Sequence, residues 1–220
     1  MIGLLAAASF AGSTFGVGGA AGFDLPGPDA GAFGIAPALY VPVVAGLTPA
    51  AGLRFTVRLE GGPGTDQVSW AESVDGTAAR IVSASEFALV LTAIATVGPD
   101  IQIPVSGSVA PYFGAEVGGG VAAVYHSLGG PTAFLIDPQQ NDLDDPGNID
   151  PYTLSPVLAS DLHFGTRSTG DGLGWWAEVG YGSAWLGSAP LRKSLPIADA
   201  RRQAIGWNPV RVGVGVAFAL

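Results

Sequence analysis

The chain has 220 residues, 34 of them glycine and 17 proline, with only 12% charged and a mean hydropathy of +0.42. Cysteine is absent, which excludes disulfide frameworks, thiol nucleophiles and cysteine-bound metals. A net charge of −9 with a single lysine, Lys193, argues against nucleic acid as a partner, since its binders carry basic patches.

The N-terminal stretch MIGLLAAASFA has the apolar core and small residues of a signal peptide but lacks a charged leader. Residues 1–12 are therefore expected to be a signal-peptide remnant or N-terminal extension, followed by a single β-barrel domain over 13–220. Residues 1–23 are also free of charge, but Gly12, Gly16, Gly18, Gly19 and Gly22 make them a poor helix.

From residue 13 onward the dominant signal is alternation with period two. It predicts eight strands, at 13–25, 32–45, 51–61, 80–97, 103–127, 154–168, 172–186 and 207–220. In LRFTVRLE, Leu53, Phe55, Val57 and Leu59 share one face, and Arg54, Thr56, Arg58 and Glu60 share the other. In the last segment Val210, Val212, Val214, Val216, Phe218 and Leu220 share a face opposite Arg211, Gly213 and Gly215.

Short turns are read at 46–50 (GLTPA), 98–101 (GPDI) and 168–172 (STGDG), and long connections at 62–79, 127–153 and 186–206, with a shorter one at 26–31. An even number of strands with tight turns at one end and long loops at the other is the pattern of an outer-membrane barrel. Aromatic residues fall at both ends of the apolar face. Phe15, Phe113, Trp175 and Phe218 are expected at the turn end, and Phe23, Phe33, Tyr125 and Trp185 at the loop end. Eight residues separate Phe15 from Phe23, which at a tilt of about 40° gives about 20 Å of height, close to an apolar membrane band. The fold class is therefore all-β: an eight-stranded, antiparallel, up-and-down transmembrane β-barrel.

The segment PYFGAEVGGGVAAVY (residues 111–125), after a short turn and before a long loop, resembles the Pro-Tyr-x-Gly strand of small outer-membrane β-barrel proteins, the broad family of the OmpA membrane domain and OmpX. The valine-alternating C-terminal strand is similar to the terminal signal read by the barrel-insertion machinery, although its last residue is Leu220 where that family usually has an aromatic. The resemblance implies location in the bacterial outer membrane, among outer-membrane lipids and lipopolysaccharide. The peptidoglycan-binding domain that OmpA-like proteins append is not expected.

If the apolar face meets lipid, the other face fills the lumen, and eight strands leave an interior that side chains just fill. The expected lumenal charge network comprises Arg54, Arg58, Arg167 and Arg211 against Glu60, Glu116, Asp161 and Glu178. Glu86, Tyr112, Trp176 and His163 are expected inside as well, and glycines such as Gly114, Gly118 and Gly120 leave the space. The glycines of 118–120 do not form a phosphate loop, because no strand-to-helix turn or Lys-Ser/Thr follows them.

No catalytic site is expected. His126 and Ser127 are adjacent on a strand and so point to opposite faces. Asp161 and His163 share a face, which would suit an oriented general base, but His163 falls well inside its strand and a lumenal hydrogen-bond network is the plainer reading. No metal or other cofactor is expected. The acidic loop DPQQNDLDDPGNIDP offers Asp142, Asp144 and Asp145 as weak calcium candidates, but Pro146 breaks the EF-hand spacing. Arg192, Lys193, Arg201 and Arg202 form the one basic patch, expected to meet lipopolysaccharide phosphates or the acidic loop.

The function expected is a non-enzymatic membrane anchor or a platform whose long loops bind a protein partner. The alternatives left open are a narrow ion-conducting pore, then a soluble lipocalin-like lipid carrier with its apolar face turned inward, and last a lipid-modifying enzyme.

Overall fold

The computed structural model describes residues 13–24, 35–74, 78–103, 105, 108–126, 152–168, 172–190, 201–202, 205–207 and 209–220. The strands are β1 Thr14–Asp24, β2 Ile35–Thr48, β3 Ala51–Val74, β4 Ala78–Gln102, β5 Val109–His126, β6 Tyr152–Ser168 and β7 Leu173–Leu186. Three short pieces follow, β8 Ala189–Pro190, β9 Arg201–Arg202 and β10 Ile205–Trp207, before the terminal strand β11 Pro209–Ala219. No helix occurs among the described residues.

Each long strand pairs antiparallel with the next, and β11 pairs with both β7 and β1, so the sheet closes on itself. Eight long strands, β1–β7 and β11, therefore make one ring with no free lateral edge in the wall, which removes the hazard of an unpaired strand. Closure is completed at the turn end, where the Leu220 amide donates to the Ser13 carbonyl at 3.0 Å. Gly172, just before β7, has a positive φ of +89°, a conformation that favours glycine.

Burial alternates residue by residue, and the barrel is inverted relative to a soluble one. Leu53, Phe55, Val57 and Leu59 face outward and are half exposed, while Arg54, Thr56, Arg58 and Glu60 are buried inside. The same exchange runs through β6, where Leu154, Leu158, Leu162 and Phe164 are outside and Asp161 and His163 inside. A water-soluble lipid carrier needs the opposite arrangement.

Aromatic pairs mark both rims. Phe15 meets Phe218 with ring centroids 6.5 Å apart at the turn end, and Tyr125 meets Tyr152 at 5.1 Å at the loop end. Phe113, Trp175 and Trp185 are exposed on the outer face. The backbone of Phe23 pairs with Val210 at the end of β1, and Phe33 lies outside the described residues.

Three connections differ from their sequence reading. Residues 62–79 are not a loop: β3 and β4 pair without interruption from Ala51↔Ile101 to Val74↔Ala78, leaving only 75–77 between them. The β2–β3 ladder ends at Ala38↔Glu60 and the β4–β5 ladder at Ala88↔His126, so among the described residues this hairpin outruns both neighbours and stands as an arm at the loop end. Pro63 is tolerated there because β3 beyond Glu60 has lost its β2 neighbour, and proline is accommodated on edge strands. Likewise GPDI (98–101) is strand, paired to β3, and β4 runs on to Gln102; the β4–β5 ladder skips Gly98 and Pro99. Residues 186–206 are also not wholly loop: β9 pairs with Val68–Ser69 of the arm and β8 pairs with β9.

Candidate functional site

The lumen is built from the inward face of every ring strand. Toward the loop end it is apolar, with Ala88, Val90 and Ile94 of β4, Ala122 and Val124 of β5, Val157 and Ala159 of β6, and Ala184 and Leu186 of β7 packed together. Below this stopper lies the charged layer. Nearer the turn end Tyr40 packs against Trp176, with the rings tilted and their centroids 5.7 Å apart.

Arg54 is at the centre of the charged layer and is 1% exposed. It grips Glu178 with two nitrogens, Nη1 at 2.9 Å from Oε2 and Nη2 donating to Oε1 at 3.1 Å, the planar two-point pairing to which a guanidinium is suited. Its Nε donates to Thr56 Oγ1 at 3.1 Å, and that hydroxyl donates to Glu116 Oε1 at 2.7 Å. The rings of Tyr40 and Tyr112 lie 5.6 and 5.8 Å from its Cζ. Tyr112 donates to Glu178 Oε2 at 2.8 Å.

Two further centres flank it. Arg167 donates to Asp100 Oδ1 at 2.6 Å and to Gln102 Oε1 at 2.9 Å, with its Cζ 4.7 Å from the Tyr112 ring. Arg211 donates to Asp161 Oδ2, which Arg58 Nη1 also faces at 3.6 Å. Arg58 Nε lies 3.7 Å from Glu60 Oε2. His163 sits between carboxylates, Nε2 3.7 Å from Asp100 Oδ2 and Nδ1 3.9 Å from Glu116 Oε2.

The structure thus brings Arg54, Arg58, Glu60, Glu116, Asp161, His163, Arg167, Glu178 and Arg211 into one buried layer. The backbone of Glu86 is placed in the arm, opposite Asp66 and beyond the Ala88↔His126 end of the β4–β5 ladder. Asp100 was missed, because GPDI reads as a turn, yet it is fully buried and meets Arg167, Arg54 and His163. Tyr40 and Thr56 also hold the network; the alternation around Arg54 already placed Thr56 on the inner face. His126 closes β5, whereas Ser127, Asp142, Asp144, Asp145, Arg192 and Lys193 lie outside the described residues.

The glycines have a sharper role than general space-making. A Cβ on Gly114 would meet His163 Nε2 at 2.6 Å, and one on Gly18 would meet Trp176 Cζ2 at 2.6 Å. Gly118 and Gly120 instead press on the β4 backbone, where a Cβ would run into the carbonyls of Ala95 and Ala93. They set how tightly β5 lies against β4.

An apolar belt outside, aromatic rims, a closed ring of eight strands and an ion-paired interior define the class: an eight-stranded transmembrane β-barrel plugged by its own side chains. No protein-family model and no curated protein matches the chain. Among solved structures it is similar to Neisserial surface protein A (NspA), at 12% identity over 92% of this chain and 96% of that one, TM-score 0.42. It is also similar to Ail, the attachment invasion locus protein of Yersinia pestis, at 10% identity over 94% and 97%, TM-score 0.44. A second Ail structure, in complex with the heparin analogue sucrose octasulfate, aligns at 12% identity over 94% and 97%, TM-score 0.45.

Proposed function

We propose that the protein is a non-enzymatic barrel of the bacterial outer membrane that holds a rigid β-arm on the loop side as a platform for a protein partner. The observation that carries this reading is the unbroken β3–β4 ladder, which continues past both neighbouring ladders and gains β9 and β8 on its β3 side. A hairpin braced in this way costs little further ordering when a partner binds, since its backbone is already fixed. The filled lumen supports the same reading, because side chains occupy the space that a wide channel would need. Outer-membrane lipids and lipopolysaccharide are the proposed surroundings of the apolar belt, and the barrel-insertion machinery its route there.

The test replaces residues 62–87 with a short Gly-Ser turn and places photo-crosslinkers on the intact arm in cells. The shortened barrel should still insert and migrate heat-modifiably on gels, while crosslinks to a specific partner disappear. An unaltered crosslinking pattern in the shortened protein would refute the platform. The second reading, a narrow pore, is favoured by the charged layer buried in the lumen. Discrete openings in planar bilayers, altered by Arg58→Met or Glu116→Gln, would favour it over the plug.

A further inference from the structure

We infer that the lumen holds a transition-metal ion between β5 and β6, liganded by Glu116, Asp161 and His163. Glu116 and Asp161 are direct cross-strand partners, and His163 follows Asp161 by two residues on the same inner face. One donor atom from each lies within 4.8 Å of the other two. Like charges directly opposite one another destabilise a strand pair unless something positive sits between them.

The arginines do not fill that place. Glu116 uses Oε1 toward Thr56 and Arg54, and Asp161 uses Oδ2 toward Arg211 and Arg58. Glu116 Oε2, Asp161 Oδ1 and both His163 nitrogens are left buried with no hydrogen-bond partner. Orphaned acceptors at this depth are costly, and one cation satisfies all three side chains together. The walls around them are glycine: Gly114 stands opposite His163 on β5, and Gly180 and Gly182 stand opposite His163 and Asp161 on β7.

The ligand set decides which cation the site takes. One imidazole and two carboxylates suit Zn²⁺, Mn²⁺, Fe²⁺ or Co²⁺; Ca²⁺ needs six to eight oxygens, and no thiolate is present for softer ions. Bringing the three donors to bonding distance of one ion takes side-chain movements of roughly an ångström. The ion would tie β5 to β6 inside the barrel, loaded as the protein folds.

The experiment refolds the tag-free full chain in detergent with Co²⁺, removes loose metal with a weak chelator, and records metal content and the visible spectrum. About one ion per chain with the bands of a low-coordinate Co²⁺ site is expected. Both should be lost in His163→Gln and Glu116→Gln, and kept in His126→Gln and in the combined Asp142→Asn, Asp144→Asn, Asp145→Asn chain. Thr56→Val, which frees Glu116 without removing a ligand, should weaken binding about 10-fold. Heat-modifiable migration confirms folding in each case. Folded wild-type protein that retains no Co²⁺, Zn²⁺ or Mn²⁺ overturns the site, whatever the variants do. Binding that survives His163→Gln, or that vanishes with the loop aspartates, overturns it equally.

Discussion

Replacing Arg54 by methionine removes the central cation of the lumen while keeping most of its length. Glu178 then loses both of its guanidinium contacts, at 2.9 and 3.1 Å, and retains only the Tyr112 hydroxyl at 2.8 Å. Asp100 and Glu116 lose a positive neighbour at 3.9 and 3.7 Å. All of these groups are buried, so the charge left behind cannot be rehydrated without opening the barrel. Removing one partner of a buried pair costs about 3–5 kcal/mol, whereas removing both is often nearly neutral. Arg54→Met should therefore lower stability by about 3–5 kcal/mol. The double variant Arg54→Met/Glu178→Gln should recover roughly half of that, since Asp100 and Glu116 stay uncompensated. The assay is urea unfolding of the barrel in lipid, followed by tryptophan fluorescence and gel migration. At a slope of about 2 kcal/mol per molar urea, the single variant should unfold roughly 2 M earlier. A loss below about 1 kcal/mol, or a double variant no better than Arg54→Met, would refute the view that these charges are held by mutual pairing.

Three further outcomes follow from particular positions. Asp100→Asn should destabilise the barrel by about 3 kcal/mol in the same unfolding assay, because Arg167 loses its 2.6 Å partner; a neutral effect would mean that Asp100 sits in an exposed turn after all. Gly118→Ala should cost about 1–3 kcal/mol, since its methyl group would lie 2.7 Å from Thr96 Cα. Gly19→Ala, with nothing nearer than the Ala38 carbonyl at 3.9 Å, should be neutral or slightly stabilising. Leu158→Arg should impair insertion by about 2–4 kcal/mol in lipid-refolding titrations, because Leu158 pairs with Gly119, midway between the Phe113 and Tyr125 rims. Leu47→Arg, at the turn end, should cost about 1 kcal/mol or less in those titrations.

Most of the wall was legible because alternation is a property of residue order alone. Leu53–Glu60 and the valines of β11 show their two faces without reference to anything distant. The arm was not legible, since GGPGTD at 61–66 carries every breaker of a loop. Its strand character depends on pairing with 86–91 and on the loss of the β2 neighbour, neither of which residue order displays. Asp100 was hidden for a related reason: Gly98 and Pro99 give up the ladder to β5 while keeping the one to β3. The membership of the charged layer followed from face alone, but who pairs with whom did not. Arg54 and Glu178 lie on β3 and β7 and meet only because the ring closes. The apolar stopper at the loop end also escaped notice, because alanine and valine are common on both faces of this barrel.

The central claim is that the barrel is inverted, apolar toward lipid and polar within, and Trp175 and Trp176 test it most directly. They are neighbours in the chain and lie on opposite faces, Trp175 44% exposed at the outer rim and Trp176 4% exposed against Tyr40. Chains retaining one tryptophan at a time would be folded into vesicles containing brominated lipids, which quench indole on contact. Strong quenching of Trp175 with little quenching of Trp176 is the expected result. Equal quenching of the two, or stronger quenching of Trp176, would contradict the inverted barrel.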